Sequence, residues 1–377
     1  MPENSKTEEF LKKLAPCIDR GELEKCVEEA TRVAGEMGIV AEKLLDLSSE
    51  EEMDNRFTYV LALAAVQGLK GEDKADAYVD AALASSELGL KQKEEEHYKK
   101  ALEFDLKNPE AHYNYAILLE ELGRKNEAEE HYKKALELDP KDPDVHDNYG
   151  IFLAKQSRKI EAEEYFRKAI ELDPEDARTH SNYANFLIQN GRFSKAEKEV
   201  RTALYFEPNY PYALGTLGYI LADEGSFEEA IKEYQKALKN SALMKPEATS
   251  AIHNKLGWIY AQLKQYKKAK EEFKKAVAFD FLNVKAIRNL RKLGKVEAEI
   301  ENCKFKKYLA VKLLLLFLIG FSYYLFWINR LNEAIFVAYS AFLIAMLIFV
   351  FFIHYIKRFK AGPFEFEKSP VPWIQRR

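Results

Sequence analysis

The chain has few of the residues from which most catalytic centres and cross-linked frameworks are built. It holds three cysteines in 377 residues, Cys17, Cys26 and Cys303. Their spacing fits neither a disulfide framework nor a metal site, so free thiols in a reducing compartment are expected. No glycine-rich phosphate loop, zinc-binding pair or nucleophile elbow occurs, so no enzyme, cofactor or metal is expected. Met1 to Lys13 is polar and charged and has no apolar signal core, so the N-terminal region is expected to stay where it is made. Charge of one sign is also missing. Lys and Arg number 57 against 61 Asp and Glu, a net charge of -4 that points to no nucleic-acid partner.

What is present is a period. Ala128, Ala135 and Pro140 return as Ala162, Ala169 and Pro174, then as Ala196, Ala203 and Pro208, at intervals of 34 residues. Small residues at fixed helical positions on that spacing mark stacked helix-turn-helix repeats, each unable to bury its apolar face alone. The first helix of each repeat (helix A) carries Tyr115, Ala116 and Leu119, then Tyr149, Gly150 and Leu153, then Tyr183, Ala184 and Leu187. This pattern resembles the tetratricopeptide repeat family, in which a large, a small and a Leu or Tyr residue occupy the seventh, eighth and eleventh positions. The register continues through Leu217, Gly218 and Leu221 with Ala230 and Ala237, and through Leu256, Gly257 and Tyr260 with Ala269 and Ala276. Backward it gives Ala81, Ala82, Tyr98 and Ala101, with Glu94 where alanine is expected.

Six repeats result, at about 75–108, 109–142, 143–176, 177–210, 211–244 and 250–283, the first degenerate. Gly89, Gly123, Gly191 and Gly225 suit the left-handed residue that ends helix A, and Ser157 and Lys264 replace glycine in two turns. The extra segment Asn240 to Thr249, with Pro246, reads as a longer loop or helix end, or as a kink that reorients the last repeat. Residues 1–74 read as a helical cap or decayed repeat, and 284–307 as a capping helix. The fold class is therefore all-α, and the resemblance implies a right-handed solenoid of helical hairpins.

Beyond residue 307 the composition turns apolar. Residues 308–328 carry one charge, Lys312, and residues 334–356 carry none. Each approaches the roughly 20 residues that cross a hydrocarbon core, so a transmembrane hairpin over 308–356 is expected. Lys304, Lys306 and Lys307 before it and Lys357, Arg358 and Lys360 after it place both flanks, including the basic 357–377 tail, in the cytoplasm. Basic residues outnumber acidic ones from Lys264 to Lys312, as a region beside anionic lipid would.

Two further rows recur. His112, His146, His180 and His253 fill the fourth position of helix A, too far apart for one metal, and read as packing residues. Asn114, Asn148 and Asn182 fill the sixth position, which in the family faces a concave groove. A carboxamide both donates and accepts, so this ladder can hold an extended peptide's backbone, or it can bond within its own superhelix. The family's other groove positions fall on Glu110, Tyr113, Ile117, Glu120, Glu121, Asp144, Asp147, Lys155, Asn185, Ile188, Tyr212, Tyr219, Asp223 and Trp258. The peptide-binding set expected is Asn114, Asn148, Asn182, Asn185, Tyr113, Asp147, Tyr219 and Trp258. One end is acidic and the other aromatic, which favours a basic and apolar ligand over an acidic C-terminus. The Lys and Arg positions of chaperone-binding members are not filled, which argues against chaperone tails. The expectation is a membrane-anchored adaptor that holds a peptide segment of a partner, with a structural or assembly subunit of a membrane complex as the alternative.

Overall fold

The computed structural model describes residues 3–37, 39–49, 53–327, 341–342 and 345–346. Every regular element among the described residues is helical, and the chain divides into two compact lobes, Met1–Phe206 and Glu207–Arg377. The first lobe contains α1 (Glu3–Asp19), α2 (Leu23–Met37), α3 (Ala41–Ser48), α4 (Asn55–Ala65), α5 (Gly71–Glu87), α6 (Lys91–Phe104), α7 (Pro109–Glu121), α8 (Lys125–Leu138), α9 (Pro143–Lys155), α10 (Lys159–Leu172), α11 (Ala177–Gln189) and α12 (Phe193–Phe206). The second contains α13 (Pro211–Glu224), α14 (Phe227–Lys239), a 3-10 turn (Ser241–Leu243), α15 (Pro246–Gln262), α16 (Tyr266–Phe279) and α17 (Val284–Trp327). From α5 to α16, each odd-numbered helix packs chiefly on the even-numbered helix that follows it, giving successive helical hairpins.

Local chemistry sets the hairpin ends. Asn108 and Asp142 cap α7 and α9 by accepting from the Ala111 and Asp144 amides at 2.8 Å, and Asp176 caps α11 by accepting from the Arg178 amide at 2.9 Å. Pro109, Pro143, Pro211 and Pro246 stand in first turns, where a missing amide proton costs nothing. Between paired helices the chain turns through a left-handed residue. Gly89, Gly123, Gly191 and Gly225 supply it, and Ser157 (φ 65°) and Lys264 (φ 59°) adopt it without that freedom. The extra residues before the sixth repeat form the 3-10 turn and lengthen α15 to 17 residues.

Within hairpins the backbones meet where side chains are smallest. A Cβ added to Gly150 would lie 3.3 Å from Phe166, one on Gly218 3.0 Å from Tyr234, and one on Gly257 2.6 Å from Phe273. Ala128, Ala162, Ala196, Ala230 and Ala269 are fully buried on the second helices of their hairpins. In the first repeat, Glu94 takes the place of that alanine, and its buried carboxylate lies 3.2 Å from Lys91 Nζ.

Neighbouring hairpins of the first lobe are joined by a recurring cluster. Arg124 pairs with Glu95, Arg158 with Glu129 and Arg192 with Glu163, each across 29 residues. The hydroxyls of Tyr115, Tyr149 and Tyr183 donate to the same three carboxylates at 3.2, 3.3 and 3.1 Å. Hydrogen bonding from Arg192, the largest cause, holds the Glu163 carboxyl down at about 2. Ser226 and Gln265 occupy the arginine position in the second lobe, where these clusters do not recur among the described residues.

Two expectations are corrected. Cys17 and Cys26 are bonded in a disulfide. The α1–α2 hairpin, turning at left-handed Gly21, brings the end of α1 beside the start of α2 with the two Cα atoms 5.6 Å apart, which spacing in sequence alone does not reveal. The membrane expectation is also overturned: among the described residues no helix is long and apolar enough to cross a membrane. Residues 284–307 and 308–327, the described part of the first expected span, are not separate elements. They form one continuous 44-residue helix, α17, whose first half bears Lys285, Arg288, Arg291, Lys292 and Lys295. The integral two-span placement and its cytoplasmic flanks fall with that finding. The loop at 329–333 and the 357–377 tail lie outside the described residues, as does the second segment, 334–356, apart from Ala341, Phe342, Ala345 and Met346.

Replacing Ser157 with glycine relieves a left-handed side chain and is expected to raise stability by about 0.5–1 kcal/mol, whereas Gly123→Ala lowers it by about 1–2 kcal/mol. Thermal unfolding followed by circular dichroism reads both signs.

Candidate peptide-binding face

The sixth position of helix A is bonded to the fifth position of the preceding repeat. In the first lobe, Asn148 Nδ2 donates to Tyr113 Oη at 2.7 Å and to the Asp144 carbonyl at 3.1 Å. One repeat on, Asn182 Nδ2 donates to Asp147 Oδ2 at 2.7 Å. In the second lobe, Asn289 Nδ2 donates to Asn254 Oδ1 at 3.1 Å. All three bonds span 35 residues, so they form a seam that sets the register of adjacent first helices. The ladder therefore bonds within its superhelix, and Asn148 spends both amide hydrogens there. Its carbonyl oxygens and half-buried Asn114 are what this row can offer a ligand.

Asp147 is fully buried, and one carboxylate oxygen, Oδ1, has no hydrogen-bond partner. Burial raises its pKa to about 6, while the Asn182 hydrogen bond and the Arg178 charge oppose the rise. It acts as the acceptor that orients Asn182. Asn185 is exposed on the same lobe. Tyr219 lies partly exposed in the second lobe under the Lys255 ammonium, 4.2 Å from its ring centre. Trp258 is buried, edge-on to Phe227 at 5.8 Å.

Much of the expected acidic end is neutralised from within. Arg178, the second residue of α11, pairs with Asp144 and with Asp176. Lys155 pairs with Glu120, and Lys91 Nζ lies 2.6 Å from Glu121. Arg178 was absent from the expected groove set. It follows Asp144 by 34 residues and occupies the same repeat position, so the register alone brings it to its partner. Glu110 of that end, and Asp76 and Asp80 on the preceding first helix, form no ion pair among the described residues. Asp76 accepts from Asn108 at 2.8 Å, and Asp80 accepts from the Ser48 hydroxyl at 2.7 Å. Burial is the first cause that raises all three above the usual carboxylate range, and Asp80 and Asp76 together push Glu110 further.

The fourth-position histidines are buried connectors. His180 and His253 each meet a glutamate of the following helix, Glu199 and Glu272, at 2.7 Å, and His112 meets His131 at 2.9 Å. His146 lies against the Tyr165 ring. His112, His146 and His180 also reach the carbonyls of Leu106, Pro140 and Pro174. Among the described residues no group of three or more His, Cys, Asp or Glu could hold a metal ion.

Five tetratricopeptide repeat family models match, at residues 75–108, 109–142, 131–164, 153–220 and 211–280. The chain belongs to the tetratricopeptide repeat family. No curated protein sequence matches it. Among solved structures it is similar to the APC/C hetero-tetramer Cut9-Hcn1, with TM-score 0.57 and 14% identity over 75% of this chain. It spans only 55% of that structure's chain. It is also similar to a tetratricopeptide repeat protein from Parabacteroides merdae, with TM-score 0.53, 19% identity, and coverage of 67% of this chain and 97% of that one. These likenesses speak for the repeat fold alone. As a tetratricopeptide repeat protein, the chain has a scaffold of the kind that mediates protein–protein interaction.

The Asp147 carboxyl yields a signed pH effect. Its folded pKa of about 6 exceeds the ordinary 3.8, so the fold binds its proton more tightly than the unfolded chain does. Stability from this group is present below the lower value and is lost as pH rises through the upper one. Asp147→Asn is expected to stabilise the fold by about 1–3 kcal/mol above pH 6 and to flatten the pH dependence between the two values. Urea unfolding across that range tests it.

Proposed function

We propose that this tetratricopeptide repeat protein is an adaptor whose first lobe holds an extended, basic and apolar segment of a partner protein. The observation that supports the reading best is the repeat-to-repeat seam, in which Tyr113, Asn148, Asp147 and Asn182 are fixed at 35-residue intervals. A row held rigid before a ligand arrives loses little side-chain entropy on binding. In the family the sixth position faces the concave groove, so Asn114, the carbonyl oxygens of Asn148 and Asn182, and exposed Asn185 would meet the peptide backbone. Asp76, Asp80 and Glu110 favour cationic side chains, because each is partly desolvated without a counter-charge. In the second lobe Tyr219 offers an aromatic surface, while Trp258 is buried edge-on to Phe227.

A fluorescent peptide of alternating Arg and Leu tests this reading. It is expected to bind the full chain, to weaken as salt rises, and to lose about tenfold or more in affinity in the Asp76→Asn/Glu110→Gln variant. Asn114→Ala adds a loss of about 0.5–1.5 kcal/mol. Equal binding to wild type and the double variant, or no binding at all, would contradict it.

A further inference from the structure

The second half of α17 turns an apolar stripe toward solvent. Leu313, Leu316, Phe317, Phe321 and Tyr324 are 57%, 55%, 67%, 47% and 55% exposed, whereas Leu315 is buried. On a helix of 3.6 residues per turn these five and Gly320 share one arc of about 140°, and Leu315 lies on the opposite side. The rings stack along the stripe, Phe317 on Phe321 with centres 6.2 Å apart and Phe321 on Tyr324 at 6.4 Å. A Cβ added to Gly320 would meet nothing within 4 Å, so the stripe has an open slot between Phe317 and Tyr324. With large side chains presenting about 150–250 Å² each, these exposures leave on the order of 600 Å² of apolar surface bare. A monomer rarely leaves more than a few hundred Å² in one patch, and a standard interface takes about 800 Å² from each partner.

We propose that the second half of α17 is a self-association surface through which two copies of this chain pair as antiparallel helices. The stripe is complementary to itself in that orientation. With a two-fold axis between residues 318 and 319, Leu313 faces Tyr324, Leu316 faces Phe321, and the Phe317 ring faces the slot at Gly320. A ring against a glycine is the contact that already joins helices at Gly150 and Phe166, Gly218 and Tyr234, and Gly257 and Phe273. A parallel pair would instead set Gly320 against Gly320 and bring Lys285, Arg288, Arg291, Lys292 and Lys295 of the two copies to the same level, with like charges opposed. Antiparallel pairing separates these basic halves, by roughly 70 Å along the axis between the two Lys295 residues. The proposal does not depend on the peptide-holding reading; where that reading holds, the pair is a bivalent scaffold.

Analytical ultracentrifugation of the full chain in detergent-free buffer is expected to show a dimer. Phe317→Glu places a charge in the contact twice over and is expected to raise the dimer's dissociation constant about tenfold or more. Gly320→Leu adds apolar surface where a single copy has room for it, yet is expected to weaken the dimer similarly, because it fills the slot that the ring enters. Circular dichroism is expected to be unchanged in both. In a Cys303→Ser background, with Cys17 and Cys26 already bonded to each other, oxidation is expected to cross-link a mixture of Leu313→Cys and Tyr324→Cys chains and neither variant alone. A monomer, an open-ended aggregate, a dimer unchanged by either substitution, or cross-linking of Leu313→Cys with itself overturns the inference. Tighter association of Gly320→Leu does so as well, since it marks unspecific apolar clustering. Flotation with phosphatidylcholine and phosphatidylserine vesicles that abolishes the mixed cross-link would assign the stripe to lipid and overturn it too.

Discussion

The fold depends on the contact between a residue with almost no side chain and a ring on its partner helix. Gly257 and Phe273 are the extreme case, since a single added carbon would overlap the ring at 2.6 Å. Gly218 against Tyr234 and Gly150 against Phe166 follow the same design with slightly more room. Such contacts let two helices approach until their grooves interlock, with the ring filling the space that a larger side chain would need. A hairpin built this way still leaves one face apolar, so it is complete only when the next hairpin covers it.

Covering that face is a matter of register, and polar bonds decide it. In the first lobe the arginine–glutamate–tyrosine clusters lock one side of successive hairpins, and the Asn148–Tyr113 and Asn182–Asp147 bonds lock their first helices. The arginine side chains are 35%, 33% and 30% exposed, so a single pair adds little, but a carboxylate that accepts from both an arginine and a tyrosine hydroxyl has fewer positions open to it. The second lobe lacks the arginines and relies on the Asn289–Asn254 bond, among others. The proposed binding row shares this geometry, because the residues that fix the register are neighbours of those proposed to meet a partner.

What the sequence made legible was whatever repeats. Alanines and glycines at fixed positions disclose the hairpins, and Gly123 or Gly191 mark their turns, because each answers to local sterics. Depth was not legible: periodicity puts Asp147 and Trp258 on a face without saying that both are buried. Pairing was missed where it joins different repeats, as with Arg178 and Asp144, although the shared register held the signal. Cys17 and Cys26 fit no motif, and only the α1–α2 turn brings them together. The break expected near residue 308 rested on composition, whereas backbone hydrogen bonding carries α17 through it without interruption.

The central claim is that the absent side chain at the hairpin crossing sets the helix spacing on which all else rests. A double-mutant cycle between Gly257 and Phe273, followed by urea unfolding, tests it most directly. Gly257→Ala alone is expected to cost about 1–3 kcal/mol through overpacking, and in the presence of Phe273→Leu its cost is expected to shrink by at least about 1 kcal/mol because the ring it strikes is gone. If Gly257→Ala costs less than about 0.5 kcal/mol, or if the two changes simply add, close approach at this position is not what holds the hairpin together.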